Sequence, residues 1–208
     1  MRILRLLFFL TAAVFLTAYA AEEPAPAPSA AAEFIRTSCE TTLYPEVCYS
    51  SLSGYANAVQ QDPARLAGAA IGVSLSRAAG MAIYLANLSR QAYFGGGGDP
   101  RAAAALRDCF SVFGDAVSQI RGSMKQMRRV PAAGGGGGGG EELRFQMSNV
   151  QTWMSAALTN EDTCTDGLQE VADGPMKSDV CDRTVEVKKV TSNALALVNS
   201  YVDKITSP

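Results

Sequence analysis

The chain has 208 residues, 48% of them hydrophobic and 18% charged, with five Cys, no His and a formal net charge of −2. That length suits one globular domain, or two at most. The lack of His excludes every scheme that needs an imidazole as base, proton shuttle or metal ligand, and a near-neutral balance without a basic block leaves no electrostatic footprint for nucleic acid or anionic lipid.

At the start, Arg2 and Arg5 precede the apolar run Leu6 to Leu16, which closes on Ala18-Tyr19-Ala20. A short basic segment, an apolar stretch too short for a comfortable span and a small-residue end form a secretory signal peptide. Residues 1–20 are read as that signal, cleaved after Ala20 or Ala21. No second apolar stretch is expected to span a bilayer, so the mature chain should be soluble, secreted and free of the membrane. Residues 21–32 alternate Pro with small side chains and are read as a disordered leader. The folded domain is then 33–208.

Secretion makes disulfides the default fate of Cys39, Cys48, Cys109, Cys164 and Cys181, with one thiol left over. Two bridges can be drawn among five Cys in many ways; proximity favours Cys39 with Cys48, and counting alone decides no other pair. The spacing resembles no zinc knuckle, and no cofactor or metal is expected.

Glu33 to Cys39 and Pro45 to Ala56 read as two short helices around a turn, a hairpin over 33–60. Four longer helical stripes follow within 62–206. The first, entered at Asp62-Pro63, runs through Ile71, Leu75, Ala78, Ala82 and Leu85. The second, entered at Asp99-Pro100 and stopped at Val130-Pro131, runs through Leu106, Phe110, Phe113, Val117, Ile120, Met124 and Met127. The third carries Leu143, Met147, Val150, Met154 and Ala157, and the last Val187, Val190, Ala194, Leu197, Tyr201 and Ile205. Gly95 to Gly98 and Gly134 to Gly140 read as flexible loops between them. Neither tract ends in the Gly-Lys-Ser/Thr of a phosphate-binding loop. No strand pattern competes, so the expected fold is all-α, an antiparallel up-down-up-down four-helix bundle behind a helical hairpin.

The order of these features resembles the plant invertase and pectin methylesterase inhibitor family from about Phe34 to Ile205. Three stretches carry the likeness. The first is Cys39-x8-Cys48 enclosing Thr41-Thr42-Leu43-Tyr44-Pro45 and followed by Ser50-Ser51-Leu52. The second is Val150 to Leu168, VQTWMSAALTNEDTCTDGL, and the third is Val190 to Asn199, VTSNALALVN. The resemblance implies bridges Cys39–Cys48 and Cys109–Cys164, with Cys181 unpaired. It also implies that the protein is not an enzyme but an inhibitor, with pectin methylesterase as partner and acid invertase as the alternative. Invertase inhibitors of this family carry Pro-Lys-Phe early in the third bundle helix, where this chain has Glu141-Glu142-Leu143-Arg144-Phe145-Gln146. That departure and the form of Val150 to Leu168 favour pectin methylesterase. Some methylesterase inhibitors place a carboxylate two residues after the third bridge Cys, whereas this chain has Ser111.

The polar run Thr159, Asn160, Glu161, Asp162 and Thr163 lies just before Cys164 and reads as a surface clamped by the bridge; the resemblance implies that Thr163 faces the target enzyme, with Ser111 and Asp115 as neighbours on the second bundle helix. The domain also occurs ahead of pectin methylesterase catalytic domains; this chain ends at Pro208, and a free inhibitor, monomeric when alone, is the simpler reading. Asn87-Leu88-Ser89 is an N-glycosylation sequon near the end of the first bundle helix. The carboxylate pairs Glu141-Glu142, Glu161-Asp162, and Asp179 with Asp182 are given no enzymatic role; in the first two, adjacent residues point to different helix faces. Direct pectin binding would want a longer basic groove than Lys125, Arg128 and Arg129 supply.

Overall fold

The computed structural model describes residues 29–94, 99–130 and 140–206. Residues 1–20, read as a signal peptide, most of the stretch read as a leader and nearly all of both glycine tracts lie outside these residues. Seven α-helices are described: α1 (Ala30–Cys39), α2 (Pro45–Leu52), α3 (Ala56–Val59), α4 (Pro63–Phe94), α5 (Pro100–Met127), α6 (Gly140–Gly167) and α7 (Pro175–Thr206), with a 3-10 turn at Ser53–Tyr55 between α2 and α3. No strand occurs among the described residues. The fold is the expected all-α bundle: α4 packs on α5, α5 on α6, α6 on α7, and α7 closes against α4.

The first two long helices, α4 and α5, begin where the sequence supplies a cap. Asp62 Oδ1 accepts from the Ala64 and Arg65 amides at 2.8 and 3.2 Å, and Asp99 Oδ1 accepts from the Arg101 amide at 2.9 Å, with Pro next in both cases. Proline costs nothing in a first turn, where its missing amide hydrogen has no helical acceptor. Before α4 the chain reverses through Gln60 and Gln61, whose φ values of 50° and 65° place two non-glycine residues in the left-handed region. Between α6 and α7, Lys177 Nζ bonds the carbonyls of Gln169 and Val171 at 3.2 and 2.8 Å, closing the turn under buried Leu168 and Val171.

The core follows the helical stripes, with Ile71, Leu85, Leu106, Phe113, Ile120, Met147 and Met154 fully buried. One stripe residue departs from expectation. Phe110 is 44% exposed, because Cys109 turns inward to its bridge and the next residue, about 100° further round the helix, turns out. Two further expectations are corrected. The helical region begins at Ala30 rather than residue 33, capped by Ser29 Oγ accepting from the Ala32 amide at 3.2 Å. A second apolar stretch does reach membrane-spanning length and composition: Pro63–Ala92 of α4. In this fold it is a bundle helix, with Ala67, Ile71, Ser74, Ala78 and Leu85 buried and both α5 and α7 packed on it.

The hairpin is stapled by Cys39–Cys48, with Cα atoms 5.5 Å apart. Thr41 and Thr42 end α1 by donating to the carbonyls of Ser38 and Cys39 at 2.9 and 2.8 Å, and Pro45 opens α2. Ile35, Leu52 and Val59 are buried in the common core. A long-range tie fixes the hairpin to the last helix: Asn193 Oδ1 accepts from the Tyr44 amide at 3.1 Å while Asn193 Nδ2 donates to the Tyr44 carbonyl at 2.8 Å. Asn193 is 3% exposed, so removing its amide strands the Tyr44 amide hydrogen, while the Tyr44 carbonyl keeps its bond from the Cys48 amide at 2.9 Å. Asn193→Leu should therefore lower the unfolding free energy by about 2 kcal/mol in urea titrations. A change of a few tenths would show that water replaces the tie at no cost.

Candidate functional site

Helices α5 and α6 run antiparallel along the most extensive seam of the bundle. Three contacts fix their register. The Cys109–Cys164 bridge holds the backbones 4.4 Å apart between Cα atoms. Further along, Asn160 Nδ2 donates to Gln119 Oε1 at 3.0 Å. Beyond that, the Trp153 ring covers Gly122 so closely that a Cβ there would lie 3.0 Å from the ring. Glycine at 122 thus serves a close approach of side chain to backbone.

Between these ties the seam presents small polar side chains to solvent. Ser111 and Asp115 on α5, and Thr159 and Thr163 on α6, are exposed, and Asn160 is half-buried. Spacing of four residues puts each exposed pair on one stripe of its helix. Thr163 Oγ1 donates to the Thr159 carbonyl at 2.9 Å, and Thr159 Oγ1 to the Ser155 carbonyl at 3.1 Å. With their protons committed to the preceding turn, these hydroxyls offer a partner lone pairs and methyl groups in a fixed orientation. A surface ordered before contact loses little side-chain entropy on binding.

Two residues expected on this face are not there. Glu161 is fully buried, its Oε1 accepting from Thr191 Oγ1 of α7 at 2.9 Å. Burial pushes its carboxyl up to about 8, against the opposing pull of the Thr191 hydrogen bond and of Lys188. Asp162 pairs with Lys188 across the α6–α7 seam. The run Asn160 to Thr163 therefore fans around one turn of helix: Asn160 reaches α5, Glu161 the core, Asp162 α7, and Thr163 the solvent. The reason is the roughly 100° step between successive helical residues. The face that remains is Ser111, Asp115, Thr159, Asn160 and Thr163. Gln119 and Trp153 belong to its frame and were missed as such. The signal was present for Gln119, since Ser111, Asp115 and Gln119 recur every four residues.

The other candidates carry no chemistry. Among the described residues no three His, Cys, Asp or Glu side chains gather where a metal ion could be held. Burial pushes the Cys181 thiol up, which disfavours the reactive thiolate, and Cys181 is unpaired. Glu141 and Glu142 sit in the first turn of α6, where negative charge complements the helix dipole. Asp179 is held below the usual carboxylate range by Arg183, whose Nε bonds both carboxylate oxygens at 2.9 Å, and by the Tyr84 hydroxyl. Asp182 accepts from Ser178 at 3.3 Å. Asn87 is exposed on α4, with Arg90 donating to its side-chain oxygen.

Comparison with known proteins decides what kind of molecule carries this seam. The family described as plant invertase/pectin methylesterase inhibitor matches residues 33–197. The chain belongs to that family. Pectinesterase inhibitor 11 of Arabidopsis thaliana is 37% identical over 199 residues, covering 95% of each chain. The 21 kDa protein of Daucus carota is 40% identical over 173 residues, covering 83% of this chain and 85% of that protein. A crystal structure of a mutant form of a pectin methylesterase inhibitor from Arabidopsis superposes with a TM-score of 0.59 at 22% identity, over 79% of this chain and 95% of that one. That likeness concerns the fold, and it is a helical bundle. The chain is thus a member of an inhibitor family, not an enzyme.

Proposed function

We propose that this protein is a secreted inhibitor of pectin methylesterase that controls pectin de-esterification in the plant cell wall. The observation that carries the reading is the 37% identity with a pectinesterase inhibitor over 95% of both chains. The start of α6 adds support, since Glu141 to Gln146 lacks the Pro-Lys-Phe of invertase inhibitors. Inhibition is stoichiometric. The α5–α6 face, with Thr163 near its centre and Ser111, Asp115, Thr159 and Asn160 around it, docks over the substrate cleft and excludes the polymer without turning anything over.

A complex of ordinary size buries about 1,600 Å² in total, and a few central contacts dominate its energy. Extracellular, apoplastic location follows from the signal-like first 20 residues. The free protein is a monomer. A glycan on Asn87 would sit on α4, outside the two docking helices, and leave inhibition intact.

Acid invertase is the alternative target, because the family description covers both enzymes. The test is to assay the oxidised, purified protein against each. Loss of methanol release from pectin with undiminished sucrose hydrolysis is the expected result. Inhibition of invertase alone would transfer the protein to the other target.

A further inference from the structure

One titratable group in the core takes no part in the docking face. Glu161 is 0% exposed and lies three residues before Cys164 on α6. Its Oε1 accepts from Thr191 Oγ1 on α7, and Thr191 Oγ1 is itself 2.9 Å from Ser74 Oγ on α4. Thr191 has one proton and gives it to Glu161, so Ser74 is the donor in the second bond. Three of the four bundle helices are joined by this chain. It ends on Glu161 Oε2, which is buried without a hydrogen-bond partner.

A carboxylate in that position would carry a full charge against one hydroxyl, and burying an ion so poorly satisfied is costly. The neutral acid avoids that cost. The charges acting on it are few. Asp162, on its own helix, opposes ionisation, and Lys188 of α7 favours it. Those two are paired with each other, so their effects largely offset. From α4 comes only the Ser74 hydroxyl, and no α5 charge acts on it among the described residues.

We propose that Glu161 is a protonation latch of the bundle: as a neutral acid it completes the α4–α7–α6 chain, and on ionisation it loosens α6 from α7 behind the docking face. The latch is a property of the fold and holds whichever enzyme the α5–α6 face meets. The sign follows from the two states. Burial keeps the proton on Glu161 in the folded protein up to about 8, whereas an ordinary Glu releases it near 4.5. Between those values the folded form binds more protons than the unfolded chain, so stability is fully present below the lower value and falls as pH rises through the upper one. An acidic surrounding such as a cell wall is where the molecule is held most firmly.

The test is urea unfolding of the full oxidised protein from about pH 4 to about pH 9, beside Glu161→Gln, which keeps an acceptor for Thr191 and cannot ionise. One proton makes the wild-type folding constant fall by up to about tenfold per pH unit across this window, and the Gln variant should lose that component of the slope. Identical slopes would overturn the latch. Carbon-13 NMR of the Glu side-chain carboxyls in the wild type gives a second reading that does not depend on how well the variant folds. One Glu carboxyl should titrate well above the rest; all of them titrating together in the ordinary range would overturn the proposal.

Discussion

Thr163→Arg is expected to weaken inhibition of pectin methylesterase by about a hundredfold, the size of effect seen when a central interface residue is lost. The side chain is exposed, and its hydroxyl only back-bonds the preceding turn, so the fold does not depend on it. Arginine there would push a bulky cation into a contact shaped for a small side chain, and docking would have to desolvate it. Melting temperature should change little, since surface substitutions away from buried features usually stay within about 0.5 kcal/mol. Ile83→Arg is the matched control. Ile83 is 65% exposed on α4, off the docking helices, and the same added charge there should leave inhibition unchanged. Equal inhibition by wild type and Thr163→Arg would remove this face from the mechanism.

Loss of the Cys109–Cys164 bridge has the largest expected effect on stability. The bridge spans a sequence separation of 55 and encloses the second glycine tract. In the chain-entropy account a loop of that length contributes about 4 kcal/mol. For a domain of this size that corresponds to a fall in melting temperature of about 10 °C. Cys109→Ala with Cys164→Ala should show it in calorimetry, and inhibition should weaken at temperatures where the variant is still folded, because the clamp on α5 and α6 is gone. The Cys39–Cys48 bridge closes a separation of only 9, so its removal should cost less. A melting temperature unchanged to within a degree or two would mean that the Gln119–Asn160 and Trp153–Gly122 contacts hold the seam unaided.

Much of the bundle was legible because its signals are local and periodic. Asp62-Pro63 and Asp99-Pro100 each combine a side-chain cap with a residue that tolerates only the first turn, and each starts a helix where the sequence places it. The inward stripe of α6, from Met147 through Val150 and Met154 to Ala157, is likewise buried as its spacing predicts. Phe110 shows the limit of such reading. Its apolarity fits the stripe, but the neighbouring Cys109 fixes the rotation of α5, and that constraint comes from a partner 55 residues away.

The candidate site was harder for the same reason. Asn160, Glu161, Asp162 and Thr163 are contiguous and polar, and composition alone makes them one patch. The helical step separates them, and only the packed helices show which goes where, sending Glu161 into the core to Thr191 and Asp162 across to Lys188. Asn193 was visible within a recognisable stretch of the last helix, yet its role depends on a backbone 149 residues distant in sequence. Contacts of that range leave no periodic trace for a single sequence to display.

A stoichiometric titration is the most direct test of inhibition. A fixed concentration of pectin methylesterase, well above the dissociation constant, is mixed with increasing oxidised inhibitor, and methanol release is followed. The expected result is a linear fall to near-zero activity at one inhibitor per enzyme, with full activity recovered when the complex is dissociated. Undiminished methanol release at a several-fold excess of inhibitor would contradict the account, and so would a loss of activity that proceeds far beyond one enzyme per inhibitor molecule.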